Sequence, residues 1–106
     1  MRLNEQERRA ISQAATETLP SGTCVSLFGS RTDDTRRGGD IDLLVETQQS
    51  IPAAQWVAQR SRFVARIWQR LGERRIDVVL ATQSEADDRP IVQQARKAAI
   101  PLAEVK

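Results

Sequence analysis

The sequence predicts an α+β fold, a small mixed β-sheet with helices packed on one face. Three observations carry this. Segments of helical and strand periodicity follow one another as helix, strand, strand, helix, strand, helix. The first two strands are separated by about ten residues, too few for a helical crossover, so they are antiparallel neighbours. A long helical segment then stands between the second and third strands and allows the return that a parallel pair requires. At 106 residues and 11.9 kDa the chain is expected to form one domain, spanning residues 1–106.

Residues 4–19 read as the first helix. Asn4 offers a capping oxygen, Glu5 and Glu7 sit in the first turn, and Pro20-Ser21-Gly22 stops it. The apolar stretch 23–29 ("TCVSLFG") reads as a buried strand bounded by glycines. The second strand is 40–46 ("DIDLLVE"), with Ile41, Leu43 and Val45 on one face and Asp40, Asp42, Leu44 and Glu46 on the other.

Pro52 opens a helix reaching Leu71, with Gly72 as its terminator. Its apolar stripe includes Trp56, Val57, Phe63, Val64, Ile67 and Trp68, and predicts core packing for both tryptophans. Arg60, Arg62, Arg66 and Arg70 take the remaining surface. The third strand, 74–81 ("RRIDVVLA"), repeats the phase of the second: Ile76, Val78 and Leu80 against Arg75, Asp77 and Val79. Asp88 is the candidate cap of a last helix that begins near Pro90 and is expected to end at Pro101. The segment "LAEVK" reads as an edge strand or a loose tail. With helices on one face, the aspartate face is expected to be the uncovered one.

Composition narrows the chemistry. The chain has no His and no Tyr, so it supplies no Ser-His-Asp triad and no histidine-ligated zinc. Cys24 stands alone, which excludes an internal disulfide or a cysteine metal cluster and agrees with the cytosol. The opening "MRLNEQERRA" lacks the apolar core of a secretory signal, and no apolar run is long enough to span a membrane. A net charge of +2 gives no reason to expect a nucleic-acid partner, although arginine far outnumbers lysine. Catalysis would rest on carboxylates, hydroxyls, arginines, backbone amides and a borrowed cofactor.

Asp40 and Asp42 point the same way from one strand, with Cα atoms ~6.5 to 7 Å apart, and Asp77 can join them from a neighbouring strand. Carboxylates gathered on one face repel unless a cation offsets them. Oxygen ligands alone suit Mg²⁺ or Mn²⁺ rather than zinc. Just before the pair, Gly29 lets the backbone approach a phosphate closely, Ser30 offers a hydroxyl and an amide, and Arg31, Arg36 and Arg37 can reach phosphate oxygens. A phosphate cradle beside a carboxylate metal site equips a protein for phosphoryl or nucleotidyl transfer.

The ordered set "LFGSR", "GGDIDLLVE" and "RIDVVL" resembles the DNA polymerase beta-like nucleotidyltransferase superfamily. More specifically it resembles the minimal nucleotidyltransferases that act as antitoxin partners of HEPN-domain toxins. The resemblance covers roughly residues 10–100. It implies the polymerase beta palm-like fold, a triphosphate held at Gly29, Ser30 and Arg31, and two Mg²⁺ ions bound by Asp40 and Asp42. Asp77 would complete the metal site and activate the acceptor hydroxyl. The implied reaction moves AMP from ATP to a hydroxyl of the partner toxin, a protein adenylylation in the cytoplasm. The loop "TDDTRRGG" departs from the family pattern: Asp33 and Asp34 stand where many relatives carry small residues, and Gly39 where they carry Ser. Two alternatives accompany this reading. One is an antitoxin on the same fold that neutralises its toxin by binding alone. The other is the catalytic subunit of a small-molecule or RNA nucleotidyltransferase. The oligomeric state, homo- or hetero-, stays open.

Overall fold

The computed structural model describes residues 3–28, 41–83 and 89–106, and its first helix carries a side-chain N-cap. Helix α1 (Glu5–Thr18) opens on Asn4, whose side-chain oxygen accepts from the Glu7 amide at 2.8 Å. The Asn4 amide in turn donates to Glu7 at 3.0 Å, a complete capping box. The Gly22 turn, at φ 82°, leads into strand β1 (Cys24–Phe28). Strand β2 spans Ile41–Thr47, helix α2 Ala53–Leu71, strand β3 Ile76–Thr82, helix α3 Pro90–Ala98 and strand β4 Ile100–Glu104.

The sheet order is β3-β2-β1-β4. Strands β1 and β2 are antiparallel, as the short gap requires, and β2 and β3 are parallel across the α2 crossover. Strand β4 pairs antiparallel with β1 at the other edge. The C-terminal segment is therefore a strand rather than a tail. Pro101, expected to end α3, lies inside that strand, opposite Ser26 at a shift in register. An edge strand tolerates proline at such an irregularity because the missing amide costs no ladder bond. Helix α3 stops earlier, at Ala98. Asp88 lies outside the described residues, and Arg89 occupies the cap position without a side-chain cap bond.

The main core lies between the sheet and α1 and α2. It holds Ile11, Val25, Leu27, Ile41, Leu43, Val45, Phe63 and Ile67, all fully buried. Helices on one face hold for α1 and α2. Helix α3 differs: Val92 and Ala95 pack with Phe28, Leu44 and Ala81 on the opposite, aspartate-bearing face. The aspartate face is thus partly covered rather than open. The reason is that only its outer positions are acidic. Leu44, Val79 and Ala81 make an apolar patch, and burying it stabilises by roughly 25 cal/mol per Å². Of the two tryptophans, Trp56 is half-buried against the main core. Trp68 is 38% exposed, and its indole N–H donates to the Arg74 carbonyl at 2.8 Å.

Candidate functional site

Strand alternation decides which side chains meet. Phe28 of β1 is the register partner of Asp42 in β2, and Asp42 that of Asp77 in β3. One row therefore crosses the sheet as Phe28, Asp42, Asp77, all on the α3 side. Neighbouring strands lie ~4.8 Å apart, so the two carboxylates stand side by side. The next row, Ser26, Leu44 and Val79, is where α3 settles. Beyond it, Arg96 of α3 pairs with Glu46 at 3.1 Å and donates to the Thr82 carbonyl at 3.2 Å. Helix α3 is thereby pinned over the far half of the face, with the aspartate row at the other end of β2 and β3.

Asp42 is half-buried, and the Asp77 carboxylate is half-exposed, at 50%. Arg75, two residues before Asp77 on the same face, places its Nε 3.4 Å from Asp77 Oδ2. Both partners are well solvated, so the pair adds little stability. Its consequence is electrostatic: a guanidinium already offsets part of the charge gathered here. The face shared by Arg75 and Asp77 was legible in the strand alternation, but their pairing was not.

The start of β3 is held from behind. The Arg74 guanidinium donates to Glu7 at 2.8 Å and to the Leu71 carbonyl at 3.0 Å. The Glu7 that completes the α1 cap thus also anchors the entry to the Asp77 strand. The sequence showed Glu7 only as a first-turn carboxylate.

Of the residues expected at the site, Asp42 and Asp77 are brought together. Gly29, Ser30, Arg31, Arg36, Arg37 and Asp40 lie outside the described residues. Among the described residues no group of three His, Cys, Asp or Glu side chains could hold a metal ion. The donor set that is present, two carboxylates in register on one face, suits a hard divalent cation such as Mg²⁺. No helix among the described residues is long and apolar enough to cross a membrane.

No protein-family model and no curated protein matches the sequence. Solved structures do match. A mutant of the MntA-HpeT toxin-antitoxin aligns at a TM-score of 0.62 and 20% identity, over 98% of this chain and 75% of that one. A toxin-antitoxin with AMP-PNP aligns at 0.62 and 18% identity, over 97% and 76%. A second MntA-HpeT mutant aligns at 0.58 and 20% identity, over 98% and 74%. At these identities the likeness is one of fold, and it extends over nearly the whole chain.

Proposed function

We propose that this chain is a nucleotidyltransferase-type antitoxin that transfers AMP from ATP to a hydroxyl group of its partner toxin, a HEPN-domain protein. The observation that carries the reading is the register of Asp42 beside Asp77, in a fold shared with chains of toxin-antitoxin structures, one of them with AMP-PNP. In this reading Asp42 and Asp77, with Asp40 two residues before Asp42, would hold Mg²⁺. When bound, the ion would neutralise charge developing on the phosphates. Gly29, Ser30 and Arg31 would hold the triphosphate. The acceptor oxygen attacks the α-phosphorus, the bond to pyrophosphate breaks, and the hydroxyl proton passes to the Asp77 carboxylate. Arg75 supports this row by limiting repulsion between the carboxylates.

The test is label transfer from α-labelled ATP, with Mg²⁺, to a protein that co-purifies with this chain from its native host. Asp42→Asn is expected to lower transfer at least about 100-fold, the scale on which removing charge stabilisation acts. Full transfer by that variant would refute the reading. The Asp77–Arg75 ion pair, which engages one carboxylate oxygen, favours a second reading in which the fold silences its toxin by occlusion alone. That reading predicts that Asp42→Asn still protects cells from the toxin.

A further inference from the structure

The backbone of β3 has two sides. Ile41 N–H donates to the Arg75 carbonyl at 3.0 Å, and Gln83 N–H to the Thr47 carbonyl at 2.8 Å. Odd-numbered residues of β3 therefore turn their backbone groups toward β2. By alternation the even-numbered residues turn theirs outward, along an edge that no other strand covers among the described residues.

Side chains close both ends of that outward row. The Arg74 carbonyl accepts from Trp68 at 2.8 Å, the Leu80 carbonyl from Arg89 at 2.6 Å, and the Thr82 carbonyl from Arg96 at 3.2 Å. Such caps are how proteins blunt an exposed edge. Between them the N–H and C=O of Ile76 and Val78, and the N–H of Leu80, meet no partner among the described residues. The open stretch is centred next to Asp77. An open groove of about 510 Å³ wraps the edge, with Trp56, Val78 and Leu80 on the α2 side and Val79 and Ile91 on the α3 side. Ile91 is 48% exposed.

The geometry points to β-strand addition: an extended segment of the acceptor protein pairs with the open edge of β3, antiparallel and centred on Val78, and sets a hydroxyl side chain opposite Asp77. This rests on the proposed transfer reaction and states how its acceptor is presented. With Val78 as a hydrogen-bonded position, Asp77 falls at a non-hydrogen-bonded one. There the facing Cα atoms come within ~4.5 Å and the side chains are closest. The residue opposite Val78 then faces Trp56, and the residue opposite Val79 faces Ile91, so both are apolar. Cations stand around the docked strand. Arg75 and Arg89 lie at the two ends of the open stretch. Arg60, one turn beyond Trp56, has no ion pair among the described residues. The complement is a segment reading apolar, apolar, hydroxyl, acidic, its last residue opposite Ile76 on the α2 side, where Arg60 follows Trp56 by one turn.

The test uses the full chain with the acceptor protein that co-purifies with it, assayed for uptake of the label. Val78→Pro removes an outward N–H and no bond of the β2–β3 ladder, though it also replaces a side chain packed against the main core. It is expected to raise the KM for the acceptor at least tenfold while the Kd for Mg-ATP changes less than twofold. Hydrogen exchange at the Val78 and Leu80 amides of the unsubstituted chain is expected to slow at least tenfold in the complex. That measurement stands even if the proline variant does not fold. Unchanged acceptor kinetics in a folded Val78→Pro, or equal exchange with and without the partner, overturns the inference. Protection that rises with this chain's own concentration also overturns it, because a second copy then occupies the edge. Labelling of the acceptor without edge protection sinks the docking mode and spares the reaction. Edge protection without labelling supports the docking and sinks the reaction.

Discussion

Replacing Arg74 by alanine tests how the chain holds the entry to β3. The guanidinium donates to Glu7 at 2.8 Å and to the Leu71 carbonyl at 3.0 Å, with side-chain exposures of 26% for Arg74 and 10% for Glu7. A hydrogen bond to a charged group contributes about 1.5–3 kcal/mol. Partial exposure of Arg74 lets water replace some of this, so the expected loss is about 2 kcal/mol. For a domain of this size that corresponds to a fall in Tm of roughly 10 °C. Glu7→Ala should lose a similar amount, since it removes both the pair and half of the α1 capping box. The assay is urea unfolding of the two single variants and the double variant. A coupling energy of about 1–2 kcal/mol is expected from the cycle. Additive losses, or an Arg74→Ala variant within about 0.5 kcal/mol of the parent, would refute the claim that the pair anchors the strand.

Two further outcomes follow from the second face of the sheet. Leu44→Ala removes a fully buried side chain between α3 and the sheet. It should cost about 2–4 kcal/mol and expose α3 amides to hydrogen exchange before those of α1; uniform exchange would show that α3 does not dock as an independent layer. Burial, together with the Glu104 and Glu46 carboxylates, holds the Cys24 thiol above its ordinary value of 9.0. Less thiolate is therefore present at pH 8 than in an unfolded cysteine, and alkylation should be slower in the folded chain and speed up on unfolding. Equal rates in both states would contradict this.

The sheet was legible because its constraints are short in range. The gap after Phe28 forces the β1–β2 hairpin arrangement, and α2 alone is long enough to return the chain parallel to β2. The matching phases of Asp42 and Asp77 follow from period-two alternation, so their meeting was legible as well. The position of α3 was not. Leu44 and Val79 share a face with two aspartates, and the acidic neighbours obscured an apolar patch that a helix could cover. Trp68 was misleading for a related reason. Its place in the apolar stripe suggests the core, yet its indole N–H can be satisfied at the helix end by Arg74, where one side of the ring stays wet. The Glu7–Arg74 contact joins distant parts of the chain, and no periodicity encodes it.

The pairing of β1 with β4 bears on the order of synthesis. Cys24 to Leu27 lie in the interior of the sheet, but their second set of partners, Ile100 to Glu104, comes from the far end of the chain. While the chain emerges from the ribosome, β1 can pair with β2 long before β4 exists. Val25 and Leu27, among the most deeply buried residues of the finished protein, then sit on a strand with a bare flank. Loop closure over such a span is slow compared with local pairing. Until β4 is made, β1 is therefore an edge, and pairing with β4 turns it into an interior strand.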